Sequence, residues 1–191
     1  MSPLKRQGAF FGLAAAALFG ISPPFAKLLL PESGPMLIAG LLYLGAGLGL
    51  LFFEMTGRPF QLGLQEAPVR RADIGLLAGV ILTGGMLGPF LMLFGLARLS
   101  GVLTSLLLNL EAPFTVLVAL LVFREHLGRL ELAGVLAIVV AAGILTYQPG
   151  AIRGDLVGIL AVLGACLCWA IDNNLSQRLS LRDPLVVTRI K

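Results

Sequence analysis

The sequence predicts an all-α, polytopic membrane protein with six transmembrane helices and the start of a seventh. Three observations predict it. Hydrophobic residues make up 58% of the 191 and charged ones 13%, where a soluble domain runs near 45–50% apolar and about 25% charged. The apolar residues fall into successive runs near the length of about 20 that crosses a bilayer as a helix. There are also 24 glycines, costly in soluble helices but suited to helices that approach closely in lipid.

Each element follows in order. Lys5 and Arg6 lead into helix 1 over 8–30, interrupted at Pro23-Pro24, with Lys27 placed to snorkel to the interface. The turn Pro31-Glu32-Ser33-Gly34-Pro35 precedes helix 2 over 36–53. The longest connection, 54–72, carries Arg58, Arg70 and Arg71. Helix 3 covers 73–97 with Gly84, Gly85, Gly88 and Pro89 at its centre, and a tight turn at Arg98-Leu99-Ser100-Gly101 leads into helix 4. Between Val102 and Val122 stand thirteen Leu, Val or Phe around a single acid, Glu111. They favour insertion by about 4 to 8 kcal/mol in all, against a cost of about 2.5 to 3.5 for one central acid. Helix 4 therefore inserts and takes its carboxylate along. It stops at Arg124, Glu125, His126 and Arg129, a solvated cap. Helix 5 spans 130–147, closed by Gln148-Pro149-Gly150, and helix 6 spans 155–174. A polar link, 176–183, leads to the run that starts at Pro184.

Counting Lys and Arg on alternate sides orients the chain. Lys5, Arg6, Arg58, Arg70, Arg71, Arg124, Arg129, Arg178 and Arg182 face one side; Lys27, Arg98 and Arg153 face the other. The excess places the N-terminus in the cytoplasm of a chain expected in the cell (inner) membrane. The net charge of +4 is scattered between apolar runs, so it marks topology and not a nucleic-acid partner. Cys166 and Cys168 share one apolar run with only a distant His126, so neither a metal site nor a disulfide is expected. The first run is too long for a cleavable signal. With no P-loop, H-E-x-x-H or Gly-x-Ser-x-Gly motif, no cofactor and no enzyme are expected.

Helix 6 repeats features of helix 1. Leu18-Phe19-Gly20-Ile21-Ser22-Pro23-Pro24 lines up with Cys168-Trp169-Ala170-Ile171-Asp172-Asn173-Asn174, and Pro35-Met36-Leu37-Ile38 with Pro184-Leu185-Val186-Val187. Five helices separate the copies, so they lie in opposite orientation. The charges exchange accordingly: Glu32 is in the first turn, Arg178 and Arg182 in its counterpart. Inverted repeats of this kind are a secondary-transporter arrangement.

Helix 4 carries Asn109-Leu110-Glu111-Ala112-Pro113-Phe114-Thr115 and ends at Arg124-Glu125. Helix 5 opens Glu131-Leu132-Ala133-Gly134-Val135 and contains Ala141-Ala142-Gly143. With Phe19 and Trp169, these stretches make the chain resemble the EamA-like branch of the drug/metabolite transporter superfamily. The resemblance implies ten helices in two inverted five-helix repeats that move small metabolites or drugs. The first repeat would be 8–147 and the start of a second 154–191. The chain departs from the family pattern at Arg124, where members often have glycine, and at Gly40, where they often have arginine. Only part of a second repeat is present, which predicts a fragment of a longer chain, or a homodimer that supplies the missing half.

The expected function is secondary transport of a small solute by alternating access, about a cavity lined by helices 1, 3, 4 and 6 within the lipid bilayer. The alternatives are a structural membrane subunit and a membrane-embedded enzyme. Glu111 is the candidate for binding a proton or cation, against an acid that only holds helices together; Thr104 and Thr115 share its helical face. Asn109 and Pro113 share another face, where the unserved Asn109 carbonyl either opens a cavity or merely kinks the helix. Trp169 and Asp172, one turn apart, line a solute pocket or form a polar helix end; Phe19 joins them through the resemblance. Pro23, Pro24, Pro89, Gly84 and Gly85 are hinge candidates. The pairs Gly8/Gly12, Gly45/Gly49, Gly75/Gly79, Gly84/Gly88 and Gly154/Gly158 are expected to serve close helix contact instead.

Overall fold

The computed structural model describes residues 3–55, 67–126, 128–146, 155–180, 182 and 184–191. Arg58, Gln148-Pro149-Gly150, Arg153 and Gly154 lie outside them. Among the described residues, five helical stretches are long and apolar enough to cross a membrane: Ala9–Leu29, Pro35–Phe52, Arg71–Arg98, Gly101–Leu121 and Leu156–Arg178. The helix at Arg129–Thr146 is not among them, although it has 18 residues. The run after Pro184 forms one short helix, Pro184–Ile190. Among the described residues the only β-type pairing is an isolated bridge between Ala67 and Arg182.

The first helix, α1 (Pro3–Leu29), runs through Pro23-Pro24 without interruption, contrary to the sequence expectation. The reason is local. Pro23 cannot donate to the carbonyl of Phe19, and the Ser22 hydroxyl donates to that oxygen instead, at 2.9 Å. After α2 (Pro35–Met55), the third span is not one regular helix. It starts with a 3₁₀ turn at Arg71–Asp73 and continues as α3 (Ile74–Val80). It then widens into a π-helical segment, Ile81–Leu87, and resumes as α4 (Gly88–Arg98). Pro89 has no N–H for Gly85, and Gly88 donates five residues back, to the carbonyl of Thr83.

The fourth span is also broken. α5 (Gly101–Leu108) and α6 (Glu111–Leu121) meet at a turn of Asn109 and Leu110. Pro113 leaves the Asn109 carbonyl without its helical donor. The backbone N–H groups of Asn109 and Leu110 tighten to bonds three residues back, at 3.2 and 3.0 Å. The Asn109 amide donates to the carbonyls of Ser105 and Leu106, at 3.0 and 3.3 Å.

The core is the antiparallel packing of α4 and the π segment against α8 (Leu156–Arg178). Gly79 faces Leu175, Gly84 faces Asp172, Gly88 faces Trp169, and Gly95 faces Val162 and the carbonyl of Gly158. Gly158 in turn admits Arg98 and Leu99. The seam thus uses both members of Gly84/Gly88 and one of Gly75/Gly79, and it uses Gly158, whose partner Gly154 lies outside the described residues. Gly12, Gly45, Gly49 and Gly75 have nothing within 4 Å of where a side chain would begin. On the flank, Cys166 is buried with Leu99, Leu103, Leu107 and Val162, as a small apolar filler.

Both ends of this pair of spans are pinned. At one end Arg98 meets Asp155 at 3.1 Å in an exposed pair. Lys27 of α1 reaches the same end and donates to the carbonyls of Leu96 and, at 2.9 Å, Leu99. A cation there satisfies carbonyls that a helix C-terminus leaves unpaired, so Lys27 caps α4 where snorkelling was expected. At the other end Arg182 grips Asp73 with two nitrogens, at 2.9 and 3.2 Å, and the Arg70 N–H donates to the same carboxylate at 2.8 Å. Asp73 is buried. Removing one partner of a buried, bidentate pair leaves the other uncompensated, whereas an exposed pair is worth little. Asp73→Asn is therefore expected to lower the melting temperature in detergent clearly, and Asp155→Asn hardly at all. Equal losses would contradict this ordering.

α6 ends in a turn where Arg124 has φ +54°, a left-handed conformation that costs an L-residue about 1–2 kcal/mol. This is the position at which the resemblance drawn from the sequence leads one to expect glycine. Arg124→Gly should raise stability by about 1 kcal/mol, read as a higher melting temperature. A lower one would mean that the arginine side chain outweighs its backbone strain. Next comes α7 (Arg129–Thr146), whose Glu131 accepts from the Gly128 N–H at 2.8 Å.

Candidate functional site

Two polar clusters lie within the spans. The first is centred on Glu111. The break at Asn109-Leu110 puts Glu111 in the first turn of α6, and α8 brings Asn173 against it. The Asn173 amide donates to Glu111 Oε1 at 2.9 Å and lies 3.4 Å from Thr115 Oγ1. The neighbouring Asn174 amide donates to the Thr115 carbonyl at 3.0 Å and to the Ala170 carbonyl at 2.8 Å. A groove of about 520 Å³ opens beside Glu111, and Asn109, Thr115, Ile138 and Asn173 are in its walls.

The kink corrects two expectations. Asn109, assigned to a different face, lines the same groove as Glu111, because the turn rotates one half-helix against the other. Thr104, assigned to Glu111's face, is fully buried, outside the groove, with its hydroxyl bonded to the Ser100 carbonyl at 3.0 Å. The groove walls come from the fourth span, α7 and α8, where helices 1, 3, 4 and 6 were expected. Pro113 is buried at the break.

The second cluster is centred on Asp172, six residues before the end of α8 and so about 9 Å along the axis from it. Its carboxylate lies over Gly84, where any side chain would overlap it. Lys191 donates to Asp172 Oδ2 at 2.5 Å, and the Ser176 hydroxyl approaches Oδ1 at 3.3 Å. Tyr43 of α2 donates to the Gly84 carbonyl at 2.8 Å. One turn earlier Trp169 fills the space at Gly88 and meets Phe19 edge-on, the ring centres 6.2 Å apart. Trp169 and Asp172 are therefore on the seam with the third span, separate from the Glu111 groove.

Comparison with known proteins decides the family. A model of the EamA-like transporter family matches residues 6–147. The chain belongs to that family. It is 31% identical over 196 residues to a protein of Methanothermobacter thermautotrophicus named an uncharacterized transporter, with 94% of this chain aligned to 56% of that one. It is 27% identical to a probable amino-acid metabolite efflux pump of Salmonella typhimurium, with 95% of this chain aligned to 57% of that one. The chain thus spans a little over half the length of these relatives. No solved structure matches it. Membership in the EamA-like family agrees with the resemblance carried by helices 4 and 5.

The sequence singles out Glu111 but not the Asn173 amide that donates to it. Asn173 enters the sequence reading only through the internal repeat with helix 1, although an amide at depth needs a partner of its own. Tyr43, Ser176 and Lys191 gave no signal in the sequence. They belong to other elements and reach the Asp172 cluster only through packing.

Proposed function

We propose that the full-length protein is a secondary transporter of small metabolites in the cell (inner) membrane, working by alternating access with its N-terminus in the cytoplasm. The observation that carries this reading is the Glu111 carboxylate, placed by a broken helix in the wall of an open groove. An ionisable group at that depth is costly, and broken helices lining cavities are where transporters place solute and ion sites. Glu111 would exchange the coupling proton or cation, with Asn173 and Thr115 holding its carboxylate. Pro113 and the π segment at Gly84 and Gly85 would absorb the rearrangement between states.

The two-repeat arrangement, 8–147 and 154–191, is part of the proposal. Phe19 and Trp169 are equivalents in the internal alignment, and their ring contact is what a two-fold axis passing between the copies would produce. The rest of a longer chain, or a second copy in a homodimer, would complete the cavity. The relative named as an amino-acid metabolite efflux pump supports small metabolites as solutes and outward as the direction. The test is solute flux by the full-length protein in proteoliposomes, with and without an imposed pH gradient. Gradient-stimulated flux is expected, and no flux of any small metabolite would overturn the reading.

A further inference from the structure

The Asp172 cluster has a feature that the Glu111 groove lacks: its charges cancel. Asp172 and Lys191 form a carboxylate–ammonium pair, and Asp172 is almost completely buried. The π segment makes the seat. Gly84 leaves room for the carboxylate, and Lys191 lies over Gly85, where an added Cβ would stand 3.3 Å from the lysine carbonyl. Beside the pair is a cavity of about 220 Å³. Lys191 and Ser176, the two side chains bonded to Asp172, are both in its wall, with Val80, Leu179 and Val187 as the apolar part. Arg182 also borders it, but its guanidinium is held by Asp73. The cavity is smaller than the roughly 300–1,000 Å³ that drug-sized ligands occupy.

We propose that this cavity, resting on the transporter reading, binds a small zwitterionic solute by opening the Asp172–Lys191 pair, the solute ammonium taking Asp172 and its carboxylate taking Lys191. Charge balance selects the ligand. A simple amine that captured Asp172 would strand the Lys191 charge at low dielectric, and a simple acid would strand Asp172; either leaves a buried ion uncompensated. A zwitterion replaces one neutral pair by two and carries no net charge into the membrane. The branched apolar wall favours a solute with an aliphatic side chain.

The experiment uses tritiated L-leucine and the purified full-length protein in detergent. Bound label is read by scintillation proximity and competed with unlabelled leucine, 3-methylbutylamine or 4-methylpentanoate. Leucine is expected to compete at concentrations about tenfold or more below those of either singly charged analogue, because a site built for both groups rejects a ligand lacking one. The Asp172→Asn/Lys191→Gln double variant is expected to lose leucine binding by a similar factor while keeping its melting temperature, since a purely structural pair tolerates joint neutralisation. Competition by the amine or the acid equal to that of leucine would overturn the proposal. So would unchanged leucine binding in the double variant, or no binding by the parent protein. A double variant that fails to fold is replaced by Val80→Phe, which fills the cavity and leaves the pair intact; wild-type leucine binding there overturns the site equally. Flux of other solutes without leucine binding removes this site alone. Leucine binding without flux of any solute counts against the transporter reading alone.

Discussion

Gly95→Ala is expected to destabilise the protein by about 1–3 kcal/mol, the usual range for overpacking a filled interior. An added methyl would stand 2.5 Å from Val162 Cγ2 and 2.8 Å from the carbonyl oxygen of Gly158. The valine is fully buried and the oxygen belongs to the helix backbone, so neither gives way without α4 and α8 moving apart. Gly84→Ala acts on the same seam differently. It would drive the Asp172 carboxylate off its seat, and with it the bond to Lys191. Gly164→Ala is the control on the same interface, because its closest neighbour is the methyl end of Leu91 at 3.3 Å, which can rotate aside. Thermal unfolding in detergent should therefore rank Gly95→Ala and Gly84→Ala well below Gly164→Ala. If all three melted together, the close approach of α4 and α8 would not be what holds this bundle.

Glu111→Gln is expected to reduce gradient-driven flux at least about tenfold, in the range of removing a proton-transfer group, while leaving the fold intact. The two consequences separate because glutamine keeps an oxygen where Oε1 accepts from Asn173 but has no proton to exchange. The Asn173 amide remains satisfied, so the α6–α8 contact has no reason to loosen. Asn173→Ala is the complementary change. It removes the donor and leaves the acid, so it should weaken the positioning of Glu111 without abolishing exchange. The measurement is flux by the full-length variants in proteoliposomes, paired with their melting temperatures. Full coupled flux in a well-folded Glu111→Gln variant would remove that carboxylate from the mechanism.

The helical membrane class was legible because it depends on summed local quantities. Thirteen apolar residues around Glu111 outweigh one acid whatever the helix packs against. The motif stretches of helices 4 and 5 pointed to the family for a similar reason: they are contiguous in the chain. Local backbone chemistry was harder. Pro113 signalled trouble at Asn109, yet both outcomes, a kink and a cavity wall, occurred at the same turn. Pro23 gave the same signal and the helix stayed whole, because the Ser22 hydroxyl took the vacant carbonyl.

By itself the sequence determined that the chain is built of long apolar helices, which one carries an acid, and where the prolines deny a backbone donor. The fold alone decided which glycines are contacts, since Gly45 and Gly95 differ only in what stands across from them. It also decided that Glu111 meets Asn173 and that Asp172 meets a lysine nineteen positions away. The physical reason is one of range. Insertion free energy adds residue by residue along the chain. A hydrogen bond or ion pair exists only when two particular groups come within about 3 Å, and that separation is set by how whole helices lie against one another.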